Sequence, residues 1–272
     1  MSSPLILTLR EPPAHRLDLS ALQPDVLSNL DMADIAGLPL CLGRRRYGLA
    51  DLFEIDGDDV TDIVVRNACK RLDGIGTKLR TGRITVDGDA GHYLGRAMSG
   101  GEIRVAGNCA DYAASRMSAG QIEIQGNAGA FIGAPRAGER IGMSGGTVVV
   151  RGSAGDRCGD RMRRGTVVIH GDAGACAASR MIAGTIAIAG TAGERAGTAM
   201  QRGTLVLAHP AVTIPATFNA SSPGESVYMA LMLRALARID ERFAALSALQ
   251  TERLVGDRAC GGLGEIFVFK PM

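Results

Sequence analysis

One phrase recurs along this chain at a nearly fixed interval, and that interval limits what the chain can fold into. The phrase begins at Gly82, Gly101, Gly120, Gly146, Gly165, Gly184 and Gly203, with spacings of 19, 19, 26, 19, 19 and 19 residues. A period of this length marks units that bury their apolar faces by stacking on one another. Two places after each starting glycine stand Ile84, Ile103, Ile122, Val148, Val167, Ile186 and Leu205; four places after stand Val86, Val105, Ile124, Val150, Ile169, Ile188 and Leu207. Every one is aliphatic and the step is two, so each copy holds a short strand with one face buried. Between them Thr85, Arg104 and Glu123 vary as an outward face would. Six copies then close on a glycine, Gly88, Gly107, Gly126, Gly152, Gly171 and Gly190, which is expected to take a positive φ and turn the chain.

Two further columns hold their chemistry. Ala90, Cys109, Ala128, Ala154, Ala173 and Ala192 form a small-residue column, and Met98, Met117, Met143, Met162, Met181 and Met200 precede the next starting glycine by three places. The methionines read as a core ladder, because Met fills irregular interior gaps well. These columns predict a mainly β chain: a right-handed parallel β-helix of about seven 19-residue coils. At ~4.8 Å per coil the rod would be roughly 30 Å long. The one longer interval is a seven-residue insertion between Ala130 and Ile141 that should bulge from a corner.

Outside the repeats the chain changes character. Residues 1–60 form a non-repeating N-terminal cap segment; 61–208 are the coils, regular from Gly82 and with a degenerate first copy at Thr61 to Asn67; 209–272 are a C-terminal helix and tail. Ser222-Pro-Gly-Glu225 has the form of a capping box. A helix of roughly 30 residues is expected after it, ending near Gly256. Its stripe Met232, Leu236, Ile239, Phe243 and Leu246 lies on one face. It should cover one side or end of the rod, or meet another helix.

Composition excludes several functions. The net charge is +2 with acids and bases mixed, which predicts neither nucleic-acid nor membrane-surface binding. Six cysteines carry no Cys-x-x-Cys pair; at least three sit in coil columns and read as reduced core thiols of a cytoplasmic protein. The N-terminal apolar run is too short for a signal peptide. The glycine triplets Gly88/Gly91/Gly95, Gly126/Gly129/Gly133, Gly152/Gly155/Gly159 and Gly190/Gly193/Gly197 suggest phosphate loops. A nucleotide loop occurs once, between a strand and a helix; these recur in coil after coil and read as structural. His15, His92, His170 and His209 lack partners at ligand spacing, so no metal site, cofactor site or catalytic constellation is predicted on this chain. Arg44-Arg-Arg46 reads as a solvated or salt-bridged face, with an anion or partner contact as the alternative.

The Gly-x-x-Gly-x-x-x-Gly coils resemble the β-helical domain shared by the C subunit of formylmethanofuran dehydrogenase and the C-terminal part of the glutamate synthase large subunit. The entry Tyr47-Gly-Leu-Ala-Asp-Leu-Phe-Glu-Ile-Asp-Gly57 and the ending Gly256-Asp257-Arg-Ala-Cys-Gly-Gly-Leu-Gly264-Glu-Ile266 resemble the first of these two families. Leu263 stands where relatives often carry lysine, and Ala114 and Ala178 replace family glycines. The resemblance implies a non-catalytic scaffold within a cytoplasmic complex. In one version, formyl-tetrahydromethanopterin gives its formyl group to a methanofuran analogue, which is then hydrolysed to formate. Amidohydrolase-like and formyltransferase subunits would carry the chemistry, with the methanofuran analogue and a catalytic metal on those partners. The alternatives are a redox formylmethanofuran dehydrogenase or a glutamate-synthase-like amidotransferase module. An ice-binding rod does not fit, because only Thr147, Thr166, Thr185 and Thr204 form a threonine column. A hexapeptide acyltransferase does not fit a period of 19.

Overall fold

Alternation of aliphatic and variable residues gives strands, and the chain lays them down in order. The computed structural model describes residues 3–221 and 227–270. Before the regular copies come β1 (Pro4–Leu9), β2 (Leu17–Asp18), α1 (Pro24–Leu27), α2 (Met32–Ala36), β3 (Pro39–Leu42), β4 (Arg45–Gly48), α3 (Leu49–Leu52), β5 (Phe53–Asp56), β6 (Asp59–Ala68) and β7 (Leu72–Asp73). The seven copies give β8 (Arg83–Gly88), β9 (Ser99–Val105), β10 (Ala119–Ile124), β11 (Ser144–Val150), β12 (Arg164–Ile169), β13 (Thr185–Ile188) and β14 (Thr204–Leu207). The remainder is β15 (Asn219–Ser221), α4 (Val227–Ala237), α5 (Arg242–Ala245), β16 (Gln250–Gly256) and β17 (Gly264–Lys270).

The protein is mainly β and built on one large sheet, ordered β15-β16-β17-β14-β13-β12-β11-β10-β9-β8-β6-β1-β5. From β1 to β17 every neighbouring pair is parallel. The registers fall where the columns place them: Ile84 faces Ile103, Ile103 faces Ile122, and Ile186 faces Leu205. Ile63 and Val65 of β6 stand against Ile84 and Val86, so the degenerate copy joins the ladder. The insertion leaves the stack intact, with Gln121 against Thr147; the chain leaves after Gly133 and returns where the Met143 N–H donates to the Gly133 carbonyl at 2.6 Å. A second line of contact runs through the small-residue column, as parallel bridges from Ala90 through Cys109, Ala128, Ala154 and Ala173 to Ala192. The methionine column is wholly buried.

Both ends are closed by antiparallel pairing, β5 on β1 and β16 on β17, with β15 beyond β16. A small sheet ordered β4-β3-β2-β7 covers the N-terminal end. The N-terminal β1 and C-terminal β17 therefore extend the same ladder as the repeats.

Two expectations need correcting. The closing glycines Gly107, Gly126, Gly152, Gly171 and Gly190 do not have positive φ; of that column only Gly88 does. They are glycine because the coil beneath leaves no room. A Cβ on Gly126 would lie 2.5 Å from Asn108 Oδ1 and 2.7 Å from the Gly107 carbonyl oxygen. The positive φ belongs to the starting glycines and to the third glycine of each triplet, for example 61° at Gly95 and 71° at Gly159. Ala114 and Ala178 adopt the same conformation at 58°.

The C-terminal helix is much shorter than expected. Helix α4 has 11 residues, α5 has four, and Gln250–Gly256 is a strand. The capping box Ser222 to Glu225 lies outside the described residues. The helical segment packs Met229, Met232, Leu233, Leu236, Phe243 and Leu246 against Val168, Ala187, Val206, Phe267 and Phe269 on the outer face of β12–β14 and β17. Four strands span about 14 Å and 11 helical residues about 16 Å, so a helix of this length matches the patch it covers. The next residues pair with β17 instead, because that pairing satisfies seven residues of backbone at once.

Candidate functional site

The coil corners use most of their polar groups internally. Asp89 Oδ1 accepts from the Asn108 N–H, Asn108 Oδ1 from Asn127 and Asn127 Oδ1 from Ser153, each at 2.8 Å. Ser153 Oγ then accepts from Asp172 at 3.1 Å, and Asp172 Oδ1 from Thr191 at 2.8 Å. A second ladder runs beside it: Asp73 accepts from His92 N–H, His92 Nδ1 from Asp111 N–H, and Asp111 from Ala130 N–H. The predicted glycines Gly91, Gly126, Gly129 and Gly152 lie against these ladders, and a Cβ on any of them would come within 2.6 Å of the accepting oxygen. Gly155 and Gly193 instead meet the backbone of the coil beneath, and a Cβ on Gly190 would meet Asp172 Oδ1 at 2.5 Å as well as that backbone. Gly95, Gly133, Gly159 and Gly197 turn the chain with positive φ, while Gly88 does both. The triplets are thus spread along the stack, and the structure does not bring them together into a loop.

Among the described residues, no group of three or more His, Cys, Asp or Glu is placed to hold a metal ion. All six cysteines are free thiols. Burial pushes Cys109 and Cys158 up to about 12. His170 lies where the helical segment meets the coils: its Nε2 is 2.8 Å from Asp240 Oδ2 and 2.8 Å from an Arg151 guanidinium nitrogen. Arg151 is itself paired with Glu123 at 2.8 Å. Burial holds the His170 pKa below its ordinary value; Asp240 and Glu123 oppose that shift, and Arg151 and Arg242 reinforce it. Buried Asp257 accepts from the Ala199 and Ala259 N–H groups and closes the final coil.

One corner differs from the rest. The residue just before each buried methionine, with its equivalent before Leu79, gives Lys78, Ala97, Arg116, Gly142, Arg161, Arg180 and Ala199. All but Gly142 adopt a left-handed backbone, which aims them outward along one edge. Arg96 lies beside this column, and the insertion adds Arg136 and Glu139. Glu139 gathers Arg96 at 3.1 Å, Arg136 at 3.5 Å and Arg116 at 3.7 Å. Arg161 donates to the Glu139 carbonyl at 3.3 Å. Although burial opposes it, the hydrogen bonds from Arg136 and Arg96 keep the Glu139 carboxyl below its ordinary pKa, so it stays ionised. Arg180 grips the buried Asp160 through two nitrogens. Beside the stripe, Tyr93, Tyr112 and Phe131 stack with centroids 5.5 and 4.7 Å apart, and Arg136 lies 5.9 Å over Tyr93. An open cleft of about 430 Å³ joins this corner to the N-terminal cap, lined by Asp18, Asp73, Lys78, Tyr93, Arg96 and Arg136 among others. Sequence reasoning missed the stripe, although the position preceding the methionine column was there to be read. Arg45 and Arg46 of the basic triplet lie on exposed β4 and do not join this corner.

Comparisons with known proteins agree with this architecture. The family described as the GXGXG motif matches residues 59–228. The C subunit of the tungsten-containing formylmethanofuran dehydrogenase 2 of Methanococcus maripaludis is 32% identical over 92 residues, 33% of this chain and 34% of that protein. The C subunit of the formyltransferase/hydrolase complex Fhc of Methylorubrum extorquens is 38% identical over 88 residues, 32% of this chain and 33% of that protein. The matched stretch thus spans about a third of these curated relatives. The similarity is far longer to a chain in the crystal structure of the Methylorubrum extorquens formyltransferase/hydrolase complex FhcABCD with methylofuran. It is 39% identical with a TM-score of 0.91, covering 98% of this chain and 99% of that one.

Proposed function

The chain belongs to the GXGXG-motif family, and on that premise we propose that it is the non-catalytic C subunit of a formyltransferase/hydrolase complex. We read the stack as a right-handed parallel β-helix, the hand that parallel crossovers take. The complex moves a formyl group from formyl-tetrahydromethanopterin to a methanofuran analogue and hydrolyses it to formate. Formyltransferase and amidohydrolase-like subunits carry those steps, together with the cofactor and a catalytic metal. The observation that carries the reading is the 39% identity over nearly the whole of both chains to a chain of the FhcABCD complex. The chain's geometry supports it as well. Asp and Asn side chains serve as rungs between coils, and this suits a rigid spacer. A redox dehydrogenase role is the second reading, favoured by the likeness to the tungsten enzyme's C subunit over a third of its length.

The test is purification of a tagged chain from its native cell with identification of every co-purifying polypeptide and metal. A formyltransferase and an amidohydrolase-like chain, without molybdenum, tungsten or iron–sulfur, are expected. A pterin-bound molybdenum or tungsten would move the chain to the dehydrogenase, and a glutaminase partner to the amidotransferases. Formyl transfer by the isolated chain would refute the non-catalytic reading.

A further inference from the structure

We propose that the basic corner of Lys78, Arg96, Arg116, Arg136, Arg161 and Arg180 is the docking face for an acidic segment of a partner polypeptide. This rests on the reading of the chain as part of a complex. The charges carry the argument. Glu139 and Asp160 are the carboxylates that pair with the stripe, and Asp18 and Asp73 line the cleft, with Arg16 on Asp73 at 2.7 Å. Counting Arg16, seven cations face four carboxylates, an excess of three on one corner of a chain whose net charge is +2. The carboxylates are already engaged: Glu139 by three arginines, Asp160 by Arg180 and Ser179, Asp18 by the Ser20 N–H. Exposed Lys78 has no carboxylate partner among the described residues, and the Arg116 and Arg136 side chains are 55% and 44% exposed. A cationic surface of this kind steers and orients an oppositely charged partner.

The geometry also selects the kind of anion. From Lys78 to Arg180 the stripe climbs five coils, about 24 Å, the reach of roughly seven extended residues. A single carboxylate or phosphate would meet only one end. Arginines beside aromatic rings suggest single-stranded nucleic acid, which stacks its bases on ring faces. Here Tyr112 has Tyr93 and Phe131 on its two faces, and Arg136 lies over Tyr93, so the rings stack on one another and leave only the outer face of Phe131, not a row of faces for successive bases. The insertion fits as well: it departs from the period without altering the strand register, and it delivers Arg136 and Glu139 to this corner.

The test uses the tagged full chain in its native complex. Carbodiimide treatment, which joins an amine directly to a carboxylate, should couple Lys78 to an Asp or Glu of a partner polypeptide, read by mass spectrometry. The triple variant K78Q/R116Q/R136Q should bind its partners about tenfold more weakly near ~150 mM salt, with a shallower salt dependence. R163Q/R164Q, at exposed residues where the chain enters β12, should bind as the wild type does. If the neutral variant melts early, K78R/R116K/R136K, which keeps the charge, should retain the partners, and the Lys78 cross-link in the wild-type chain carries the test. A wild-type chain that captures neither a formyltransferase nor an amidohydrolase-like chain would overturn the complex reading itself. Capture of those partners by the wild type and by the neutral variant with equal affinity and salt slope would overturn the docking face alone. Release of the partners by nuclease would overturn it in favour of nucleic acid.

Discussion

Replacing Gly126 by alanine tests why the coil glycines are there. Gly126 has no left-handed backbone to protect, so a turning role predicts little effect. Close approach predicts a large one. The new Cβ would lie 2.5 Å from Asn108 Oδ1, 2.7 Å from the Gly107 oxygen and 2.8 Å from the Gly107 carbon. Ordinary contact needs about 3.5 Å or more, so coils spaced ~4.8 Å apart would have to open locally by most of an ångström. That motion breaks the Gly126 N–H bond to the Gly107 carbonyl at 2.9 Å and the Asn127 N–H bond to Asn108 Oδ1 at 2.8 Å. Each is worth about 1 kcal/mol net, and the overpacking adds roughly 1–3 kcal/mol. The expected loss is about 3–5 kcal/mol, read from urea unfolding, or ~10 °C in Tm for a chain of this size. Gly95→Ala is the comparison. Its φ is 61°, and its Cβ would meet mainly the Ile122 Cδ1 tip, which can rotate away. Ala114 already holds that conformation one coil further on, so the cost should be about 1–2 kcal/mol. A Gly126→Ala protein within 1 kcal/mol of wild type, or a larger loss at Gly95, would refute the close-approach account.

The buried Asp160 should be costly to remove: Asp160→Ala leaves Arg180 without its two-point acceptor and should lower urea stability by about 3 kcal/mol; no loss would mean that solvent replaces the carboxylate freely. The His170 pKa lies below that of an unfolded histidine, near 6.5. The unfolded chain therefore binds the extra proton first, so stability is full above about pH 6.5 and falls as the pH drops through the folded value. His170→Gln should flatten the fall in stability below about pH 6.5, and stability that rises on acidification would contradict the assignment. Cys41 and Cys260 are exposed whereas Cys109 and Cys158 sit near 12; a thiol reagent at pH 8 should label the first two and spare the second two until the protein unfolds. Phe243→Ala empties a fully buried site under the helical segment and should cost about 3–5 kcal/mol. Repeat stability is local, so hydrogen exchange should quicken in α4 and leave β8–β10 protected.

The coil stack was legible because it repeats. A column such as Ile84, Ile103 and Ile122 states the same packing rule in each coil, and neighbours in the stack are neighbours in period. The cover over the last coils was legible only in part, because the apolar stripe left a side of the rod, its end or another helix equally open. The outward column runs Thr85, Arg104 and Glu123, then Val149, Val168, Ala187 and Val206. That change marks where the outer face stops meeting water, and the last three entries lie under the helical segment. The helix length was not legible. Gln250 to Val255 is a strand because of Glu265 to Lys270, a pairing that nothing local in the segment specifies. The glycine columns were legible as glycine but not as to cause, since a missing Cβ serves a turn or a close approach equally. The basic stripe was hidden for a different reason. Charged residues at one position in four of seven coils read as ordinary solvated variation until the left-handed backbone aligns them on an edge.

Stacking also decides where a protein like this can meet others. Its interior columns are filled by Ile, Val, Ala and Met, and its ends are closed by antiparallel strands. What remains are the outer faces, whose spacing the ladder sets at ~4.8 Å per coil. One face, over β12–β14 and β17, is occupied by the chain's own helical segment. The arginine corner has no such cover among the described residues, and its most irregular piece is the insertion. The insertion leaves the stack undisturbed, since Gln121 still faces Thr147 across it. Its Glu139 side chain does something the coils cannot: it reaches Arg96 and Arg116 from successive coils and Arg136 from the loop itself, and holds three guanidinium groups as one surface. A carboxylate serving three cations leaves most of their charge directed outward, so the insertion both orders the corner and keeps it positive.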